Sequence, residues 1–325
     1  MKRVILMRRI LIIIVMILGL TFFLPYFIIS KFSVFYSPPG SKKGETFDKI
    51  SVYIKSEDRV AEMDMSQYLK EVVAAEMPAK FQIEALKAQA TAARTYLVNR
   101  IKAQNEQAKE EHKGADICTD PTHCKAWLGE EARKKAWGSD KADEYWAKIS
   151  DAVESTAGVL ITYNDSPISA VFHSTSSGFT ENAKDVWGGD VPYLVSVESK
   201  GEEASPRYHS ERTLSADEFK AIAESNLDNP DWSRGLFSDI VRSDAGGIKS
   251  LSIGGVSVKG TKFRTMYELR STNVELSEEN GNVVMRVTGF GHGVGMSQYG
   301  ANYLAEQGMN YVDILKTYYS GVDVS

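Results

Sequence analysis

The chain has 325 residues, of which 43% are hydrophobic and 10% aromatic, so it can form a sizeable core and is not an intrinsically disordered protein. Its 38 basic and 43 acidic residues give a formal charge of −5. Because four of the basic residues lie among the first ten positions, the rest of the chain is more acidic still, which argues against nucleic acid as a partner.

A long apolar run follows this basic start. From Ile10 to Ile29 the sequence has no charged residue, and about twenty helical residues span the hydrocarbon core of a bilayer. The positive residues before the run favour a cytoplasmic N-terminus. We therefore expect residues 1–9 to be cytoplasmic and residues 10–30 to form an uncleaved transmembrane anchor. A cleaved signal peptide is the alternative, although no A-x-A-like cleavage site follows the run.

The part beyond the anchor is predicted to be a linker and one folded region. Residues 31–50 lack hydrophobic periodicity and contain a Pro-Pro-Gly sequence, which is typical of a linker, so the folded domain should span residues 51–325. Helical patterns mix with hairpin patterns without regular alternation, which favours an α+β fold of mixed helices and antiparallel hairpins. The predicted elements are a strand at 51–55, helices at 66–76 and 83–103, a loop and helical segment within 104–150, a hairpin over 159–172, one helix in the polar stretch 200–235, a hairpin at 249–259, a helix at 263–269, a strand at 283–287 and helices at 297–306 and 311–319.

The first long helix carries a glutamate on its apolar side. Leu69, Val73 and Glu76 are separated by four and three residues and therefore share one helix face, and Pro78 ends the helix just beyond them. Burial disfavours the charged form of a carboxyl, so Glu76 is a candidate for a raised pKa. The alternative is a solvated glutamate at a fraying helix end, paired with a nearby lysine.

Two further segments have compositions suited to ligand binding. Residues 173–178, His-Ser-Thr-Ser-Ser-Gly, carry hydroxyls of the kind that hydrogen-bond sugars, although an ordinary capped loop has the same composition. Residues 289–295 have glycine at every second position around His292, which predicts a bare backbone beside a ligand; the alternative is a glycine-rich turn. The run is not a dinucleotide fingerprint, because Val294 occupies the place of the third glycine.

The two cysteines of the chain lie close together in a loop with two histidines. Outside the cytoplasm such a cysteine pair is typical of a disulfide. The same loop also offers a Cys2His2 set of zinc ligands, and because such a set leaves no coordination position open, the metal would be structural. The spacing leaves both possibilities open. The sequence has no G-x-S-x-G or H-E-x-x-H motif, so it does not indicate a serine hydrolase or zinc protease of those types.

Five motifs occur together and in order: Val-Ala-Ala-Glu-Met-Pro at 73–78, Glu-Ala-Leu-Lys-Ala-Gln-Ala at 84–90, Ala-Arg-Thr-Tyr at 93–96, the polar loop at 173–178, and Gly-His-Gly-Val-Gly-Met-Ser-Gln-Tyr-Gly-Ala at 291–301. Together they resemble the stage II sporulation protein D family, membrane-anchored lytic transglycosylases of endospore-forming bacteria. The resemblance implies cleavage of peptidoglycan strands between N-acetylmuramic acid and N-acetylglucosamine, preferably after removal of the stem peptides, during forespore engulfment.

The resemblance also implies roles for particular residues around a substrate cleft. It maps the catalytic residue of the family onto Glu76, a single acid that protonates the leaving oxygen while the C6 hydroxyl of muramic acid attacks, giving a 1,6-anhydro product. It favours structural zinc over a disulfide, with the ligands His112, Cys118, His123 and Cys124. The side chains expected to bind the sugar are Lys87, Arg94, Ser174, Thr175, Ser176, His292, Gln298 and Tyr299.

The implied partners are peptidoglycan strands, the amidase stage II sporulation protein P and the membrane protein stage II sporulation protein M. The implied location is the engulfing membrane of the mother cell, crossed once, with the catalytic domain outside the cytoplasm. Two alternatives remain: a muramidase-type hydrolase, and a non-catalytic glycan-binding scaffold for an amidase, in which Glu76 would not be needed.

Overall fold

The computed structural model describes residues 47–103 and 106–325 of the chain. The predicted cytoplasmic segment, the transmembrane anchor and most of the predicted linker lie outside these residues. Within the described part, no helix combines the length and the hydropathy that crossing a bilayer requires. The first strand begins at Lys49, just before the predicted start of the domain, because Ile50 is already part of the core.

The described residues combine helices with short, mostly antiparallel strands, which confirms the α+β prediction. The helices are α1 (Met65–Glu76), α2 (Ile83–Ala103), α3 (Glu106–Glu111), α4 (Glu130–Trp137), α5 (Ser139–Ser155), α6 (Ala183–Trp187), α7 (Ala216–Glu224), α8 (Gly260–Met266), α9 (Gln298–Glu306) and α10 (Tyr311–Tyr318). The strands are β1 (Lys49–Ile54), β2 (Arg59–Asp64), β3 (Ile117–Cys118), β4 (Ile161–Tyr163), β5 (Ser166–Pro167), β6 (Phe172–His173), β7 (His209–Ser215), β8 (Phe237–Arg242), β9 (Ile248–Ile253), β10 (Val256–Lys259), β11 (Val274–Glu279), β12 (Asn282–Thr288), β13 (Met296–Ser297) and β14 (Asp323–Val324).

Helix α2 is the centre of the main core. It packs against α1, α5, α9 and α10, so its side chains are buried on most sides instead of along one stripe. Its many alanines allow the neighbouring helices to approach closely. Helix α1 begins at Asp64, whose carboxylate accepts a hydrogen bond from the N–H of Gln67 at 2.9 Å, and ends two residues before Pro78. Glu76 therefore lies on the last turn of a helix whose inner face is buried.

The strands form several small sheets, and two of the pairings join distant parts of the chain. β1 lies between antiparallel β2 and parallel β3, which fixes the start of the cysteine loop to the first strand. β6 pairs in parallel with β13, with Phe172 opposite Met296, and this joins the polar loop to the glycine run. β4 pairs with β5 on one side and with β14 on the other.

Residues 209–288 enclose a second hydrophobic core. Two sheets with the strand orders β11-β12-β7 and β10-β9-β8 surround it together with α7 and α8. Phe219 and Tyr267 stack within it with ring centroids 4.6 Å apart, and the Tyr267 hydroxyl donates to the backbone carbonyl of Phe219. The segment is therefore an insertion with a core of its own, and the chain leaves it through the glycine run.

Most predicted elements occur close to their predicted bounds. The helices predicted at 66–76 and 83–103 correspond to α1 and α2, and the hairpin predicted at 249–259 corresponds to β9 and β10. The hairpin predicted over 159–172 is wrong in its second half, because β4 pairs with the short β5 while Phe172 pairs with β13. Strand β7, in the predicted polar stretch, was not anticipated.

Candidate active site

A cavity of about 1010 Å³ contains the side chain of Glu76. Its walls are the end of α1, the segment after Cys124, helix α4, the loop at 205–207 and the glycine run, and α9 adds Gln298 and its neighbour. The lining mixes aromatic side chains with a few charged and amide groups, which is the composition typical of ligand sites.

The carboxyl of Glu76 is largely removed from water, although the residue keeps some exposed surface. Its Oε1 accepts a hydrogen bond from the backbone N–H of Ala126 at 2.9 Å. Loss of solvation raises the pKa of Glu76, and the Lys125 ammonium, the Ala126 N–H and the Gln298 amide oppose that shift only in part. The group therefore keeps its proton to higher pH than an exposed glutamate does.

Lys125 is a buried cation that acts on this carboxyl. The residue is 9% exposed, and its Nζ lies 3.7 Å from the ring centroid of Phe172 and 4.2 Å from that of Tyr96. The two aromatic rings stabilise the ammonium electrostatically. Burial lowers the pKa of Lys125 to about 8, and the negative charge of Glu76 opposes that shift. The ammonium in turn favours the carboxylate that Glu76 becomes when it releases its proton.

Glu76 is the only carboxyl group among the described residues that line the cavity. The fixed charges that share the lining are all positive, on Lys125, Arg133 and Arg207. Cleavage of a glycosidic bond by water generally uses two carboxyl groups, one as acid and one as base or nucleophile. The described lining thus offers one carboxyl group in a positive environment and no second carboxylate.

The glycine run and the polar loop pack directly against each other. Phe290 and Thr175 exchange backbone hydrogen bonds of 2.7 and 3.0 Å. A Cβ on Gly291, whose φ is 121°, would lie 2.7 Å from the Cβ of His173. The predicted close approach to a bare backbone therefore exists, but it is made largely by the protein's own polar loop, while Gly291 and His292 also face the cavity.

His292 is a neutral imidazole in the cavity wall. Its Nδ1 accepts a hydrogen bond from the N–H of Val294 at 3.1 Å, which leaves the ring proton on Nε2. Burial lowers the pKa of His292 well below its ordinary range, and the His173 ring, with its centroid 5.7 Å away, adds to the shift. A backbone hydrogen bond to Phe172 opposes the shift, so the uncharged ring is held in the wall by bonds within the protein.

Four potential metal ligands lie together beside the cavity, and their ligand atoms are all within 4.8 Å of one another: His112, Cys118, His123 and Cys124. His112 Nε2 lies 3.1 Å from His123 Nδ1 and 3.3 Å from Cys124 Sγ. Cys118 Sγ lies 3.5 Å from His123 Nδ1. A tetrahedral zinc ion, with bonds of about 2.0–2.1 Å to nitrogen and 2.3 Å to sulfur, needs ligands roughly 3.3–3.8 Å apart. The four residues fit such an ion, and both cysteines are free thiols.

A carboxylate outside the cluster orients one of the imidazoles. His123 directs Nδ1 to the cluster, and its Nε2 lies 3.0 Å from the carboxylate of Glu111. Carboxylates in this position commonly hold metal-bound histidines in one tautomer and orientation. Because Lys125 and Ala126 directly follow Cys124, the position of the cluster also sets the position of both groups that act on Glu76.

The segment after the cluster is also fastened to α1 through Glu71. The carboxylate of Glu71 accepts a hydrogen bond from the indole N–H of Trp127 at 2.7 Å and another from the backbone N–H of Glu130 at 3.1 Å. Residues 126–130 are therefore held by both carboxyl groups of α1, and this wall of the cavity has a defined place relative to Glu76.

A family model described as "SpoIID: Stage II sporulation protein" matches residues 53–163. Stage II sporulation protein D of Bacillus amyloliquefaciens is 41% identical over 276 residues, which cover 85% of this chain and 78% of that protein. Stage II sporulation protein D of Bacillus subtilis (strain 168) is 38% identical over 291 residues, which cover 88% of this chain and 83% of that protein. The chain belongs to the stage II sporulation protein D family.

A more distant relative has a different name. A Bacillus subtilis (strain 168) protein named "Amidase enhancer" is 29% identical over 312 residues, which cover 79% of this chain but 40% of that protein. Membership of the stage II sporulation protein D family assigns the chain to sporulation. The family match includes α1, α2 and the whole His/Cys cluster, and therefore Glu76 and the segment that contacts it.

The cavity brings together several of the residues expected from the family resemblance: Glu76, Ser174, His292, Gln298 and Tyr299. They come from α1, the polar loop, the glycine run and the start of α9. The Tyr299 ring is held edge-on by Phe81, with centroids 5.0 Å apart.

Lys87 and Arg94, also expected to bind the sugar, lie outside the lining of this cavity. Lys87 forms a partly exposed ion pair with Glu84 at 2.8 Å. Arg94 is 3% exposed and donates to the backbone carbonyls of Thr156 at 2.7 Å and Val153 at 2.9 Å. Carbonyls at the end of a helix lack partners within it, so the guanidinium of Arg94 joins α2 to the end of α5.

Thr175 and Ser176 also lie outside the lining of this cavity, and both are buried, at 2% exposure. The Thr175 hydroxyl donates to that of Ser205 at 3.0 Å. The Ser176 hydroxyl donates to Nε2 of His173 at 2.7 Å. Their hydroxyls shape the polar loop from within, and Ser174 is the member of the predicted trio that reaches the cavity.

The sequence reasoning missed the basic and aromatic side chains of the cavity wall, namely Lys125, Arg133, Trp187 and Arg207. They lie on loops or short helices, where no hydrophobic period indicates which way a side chain points. Lys125 had one usable signal, its place directly after a candidate metal ligand in a loop that leads back to α1.

Replacing Arg94 by methionine should lower the free energy of unfolding by about 2–4 kcal/mol, because buried carbonyls at the end of α5 lose a charged donor. Lys87→Ala on the same helix should cost less than about 1 kcal/mol, since its ion pair is partly exposed. Denaturant unfolding of both variants measures the difference, and equal losses would show that Arg94 does not join the two helices.

Proposed function

We propose that the protein is a lytic transglycosylase of peptidoglycan. It cleaves the bond between N-acetylmuramic acid and N-acetylglucosamine, preferably in strands without stem peptides, and leaves a 1,6-anhydro end on the muramic acid. The reaction would serve forespore engulfment, in keeping with the family's place in sporulation.

The lone carboxyl in the described lining of the cavity is the observation that carries this proposal. A hydrolase of the two-carboxylate type would need a second carboxyl group across the scissile bond from Glu76. An intramolecular attack needs no such partner, because the nucleophile is a hydroxyl of the substrate itself. A single group that first gives and then takes a proton is sufficient.

In the proposed reaction, the Glu76 carboxyl donates its proton to the glycosidic oxygen as the bond from C1 to that oxygen breaks. The C6 hydroxyl oxygen of the same muramic acid forms a new bond to C1, and its proton passes to the Glu76 carboxylate. The acid is thereby restored without water. Lys125 and the Ala126 N–H stabilise the transient carboxylate, and burial raises the pKa of Glu76, which favours the protonated form of the resting group.

We infer that His112, Cys118, His123 and Cys124 hold a structural zinc ion. Their fit to tetrahedral coordination and the orienting carboxylate of Glu111 support this inference. All four positions around the ion would be filled by protein, so the metal would restrain the loop and take no part in bond cleavage.

We also infer a single-pass anchor at residues 10–30, with the catalytic domain outside the cytoplasm in the engulfing membrane of the mother cell. The proposed partners are the amidase stage II sporulation protein P, which would supply strands without stem peptides, and the membrane protein stage II sporulation protein M. A relative named for an amidase is consistent with the first partner.

Glu76→Gln should reduce turnover of stripped strands about 100- to 10,000-fold, because an amide cannot deliver the proton. The assay is mass spectrometry of the soluble products of purified protein, with Glu84→Gln, on a neighbouring helix and outside the cavity, as the matched control. Anhydro ends from the wild type and the control alone support the proposal. Reducing ends would indicate a muramidase, and unchanged turnover by Glu76→Gln would remove Glu76 from the chemistry.

The reaction should slow as the pH rises through the raised pKa of Glu76, since the protonated form is the active one. The titratable or charged groups that share the cavity with it are Lys125, Arg133, Arg207, His123, His173, His292, Cys124, Tyr96 and Tyr299. Lys125→Met removes the cation that lowers this pKa, so the alkaline limb of kcat/KM against pH should move to higher pH. A limb that stays in place or moves to lower pH would contradict the proposed electrostatics.

Purified protein should contain about one zinc ion per chain. Cys118→Ser should lose the metal and melt at a lower temperature, because a bound ion stabilises only the folded loop. Thr122→Ser, a substitution within the same loop, is the control. Metal analysis and thermal unfolding decide the matter, and a metal-free wild type with a disulfide between Cys118 and Cys124 would contradict the inference.

A further inference from the structure

Trp187 is an exposed aromatic side chain between two cavities. It is 51% exposed and lines both the cavity of Glu76 and a second cavity of about 320 Å³. Helix α6 ends at this residue, because Gly188 adopts a left-handed conformation with φ 84°. The indole packs on His292 with ring centroids 5.2 Å apart. A chain-like ligand that passes His292 therefore meets the indole before it reaches the second cavity.

The second cavity lies between α6 and the strands of the inserted core, and its lining combines apolar surface with several polar side chains. It includes ammonium and hydroxyl groups from both sides: Lys184, Lys249, Lys259, Ser243, Thr261 and Thr272. Its volume is near the lower end of the range for small-ligand sites. The cavity is therefore suited to a polar group attached to a longer ligand.

The carboxylates of this cavity are already engaged by the protein. Glu181 is 5% exposed and accepts a hydrogen bond from the N–H of Gly247 at 3.1 Å. Asp185 forms an ion pair with Lys249 at 2.5 Å. Lys184 and Lys259 are exposed, and neither has an ion-pair partner among residues 47–103 and 106–325. Two unneutralised ammonium groups thus lie in the cavity that begins at the indole.

A glycan strand without stem peptides has the chemistry that these groups would recognise. Removing the stem peptide converts the lactyl amide of each muramic acid into a free carboxylate. Ammonium groups bind carboxylates through charge-assisted hydrogen bonds. The apolar faces of sugar rings pack on the flat face of an indole, whose N–H leaves one edge polar.

We propose that Trp187, Lys184 and Lys259 form an additional glycan subsite. A sugar ring packs on Trp187, and the two lysines bind the lactyl carboxylate of a stripped muramic acid beyond it. The inference rests on the proposed function, since it assumes that a strand occupies the cavity of Glu76. The subsite selects strands that reach past the cleavage point and carry free carboxylates.

The test measures strand binding and cleavage separately. Affinity is measured by calorimetry in the Glu76→Gln background for stripped strands and for the same strands with their lactyl carboxyls converted to amides. Trp187→Ala should weaken binding of both strands about tenfold, with Trp187→Phe retaining most of the affinity. The double variant Lys184→Gln and Lys259→Gln should bind stripped strands about tenfold more weakly and lose the preference for carboxylate over amide.

The controls are Phe179→Ala, an equally exposed aromatic outside both cavities, and Lys262→Gln, an exposed lysine next to the second cavity. Both should bind like the parent. Wild-type affinity in the Trp187 and lysine variants, or equal losses in the controls, would overturn the subsite. If the wild type binds stripped strands but cleaves none, the proposed function fails, whereas the affinities still decide whether the subsite exists.

Discussion

A carboxyl group whose pKa is raised by burial at the end of a helix is the constraint on which the site depends. The end of α1 leaves Glu76 little water, and the segment after Cys124 brings one N–H and one ammonium to it. Desolvation favours the neutral acid, while the two donors favour the anion formed by proton transfer. Because both donors belong to one short segment, any movement of that segment alters both effects together.

That segment lacks regular secondary structure at the point where it contacts Glu76, so side chains hold it in place. Glu71 fastens its far end to α1 through Trp127 and Glu130. The His/Cys cluster holds its near end, and β3 ties the start of the cluster to β1. A metal in the cluster would therefore restrain Lys125 without itself touching a molecule bound in the cavity. A structural ion can in this way affect a reaction in which it takes no part.

Local hydrophobic periodicity was sufficient to predict which way a side chain points where a helix is buried along a single face. The pattern that buries Leu69 and Val73 also directs Glu76 inward, and a proline ends the helix at the same place. The same reasoning failed for Arg94, because α2 is buried on most sides and its inward arginine meets the end of α5 instead of a ligand. The burial of Lys125 between aromatic rings could not be predicted from a sequence pattern, since those rings come from α2 and β6.

The elements of the fold likewise fall into those that the sequence predicts and those that it does not. Helices and the hairpin of β9 and β10 follow from sequence, because their contacts are local. The parallel pairings of β1 with β3 and of β6 with β13 join residues far apart in the chain, and no local period encodes them. Those pairings nevertheless bring the cysteine loop and the glycine run to Glu76.

Cleavage of stripped strands in water enriched in a heavy oxygen isotope tests most directly whether one carboxyl acts without an attacking water. Mass spectrometry of the new muramic acid ends should find anhydro sugars that carry no label. Labelled reducing ends released by the wild type at its normal rate would show that water is the nucleophile, and a second base would then have to exist.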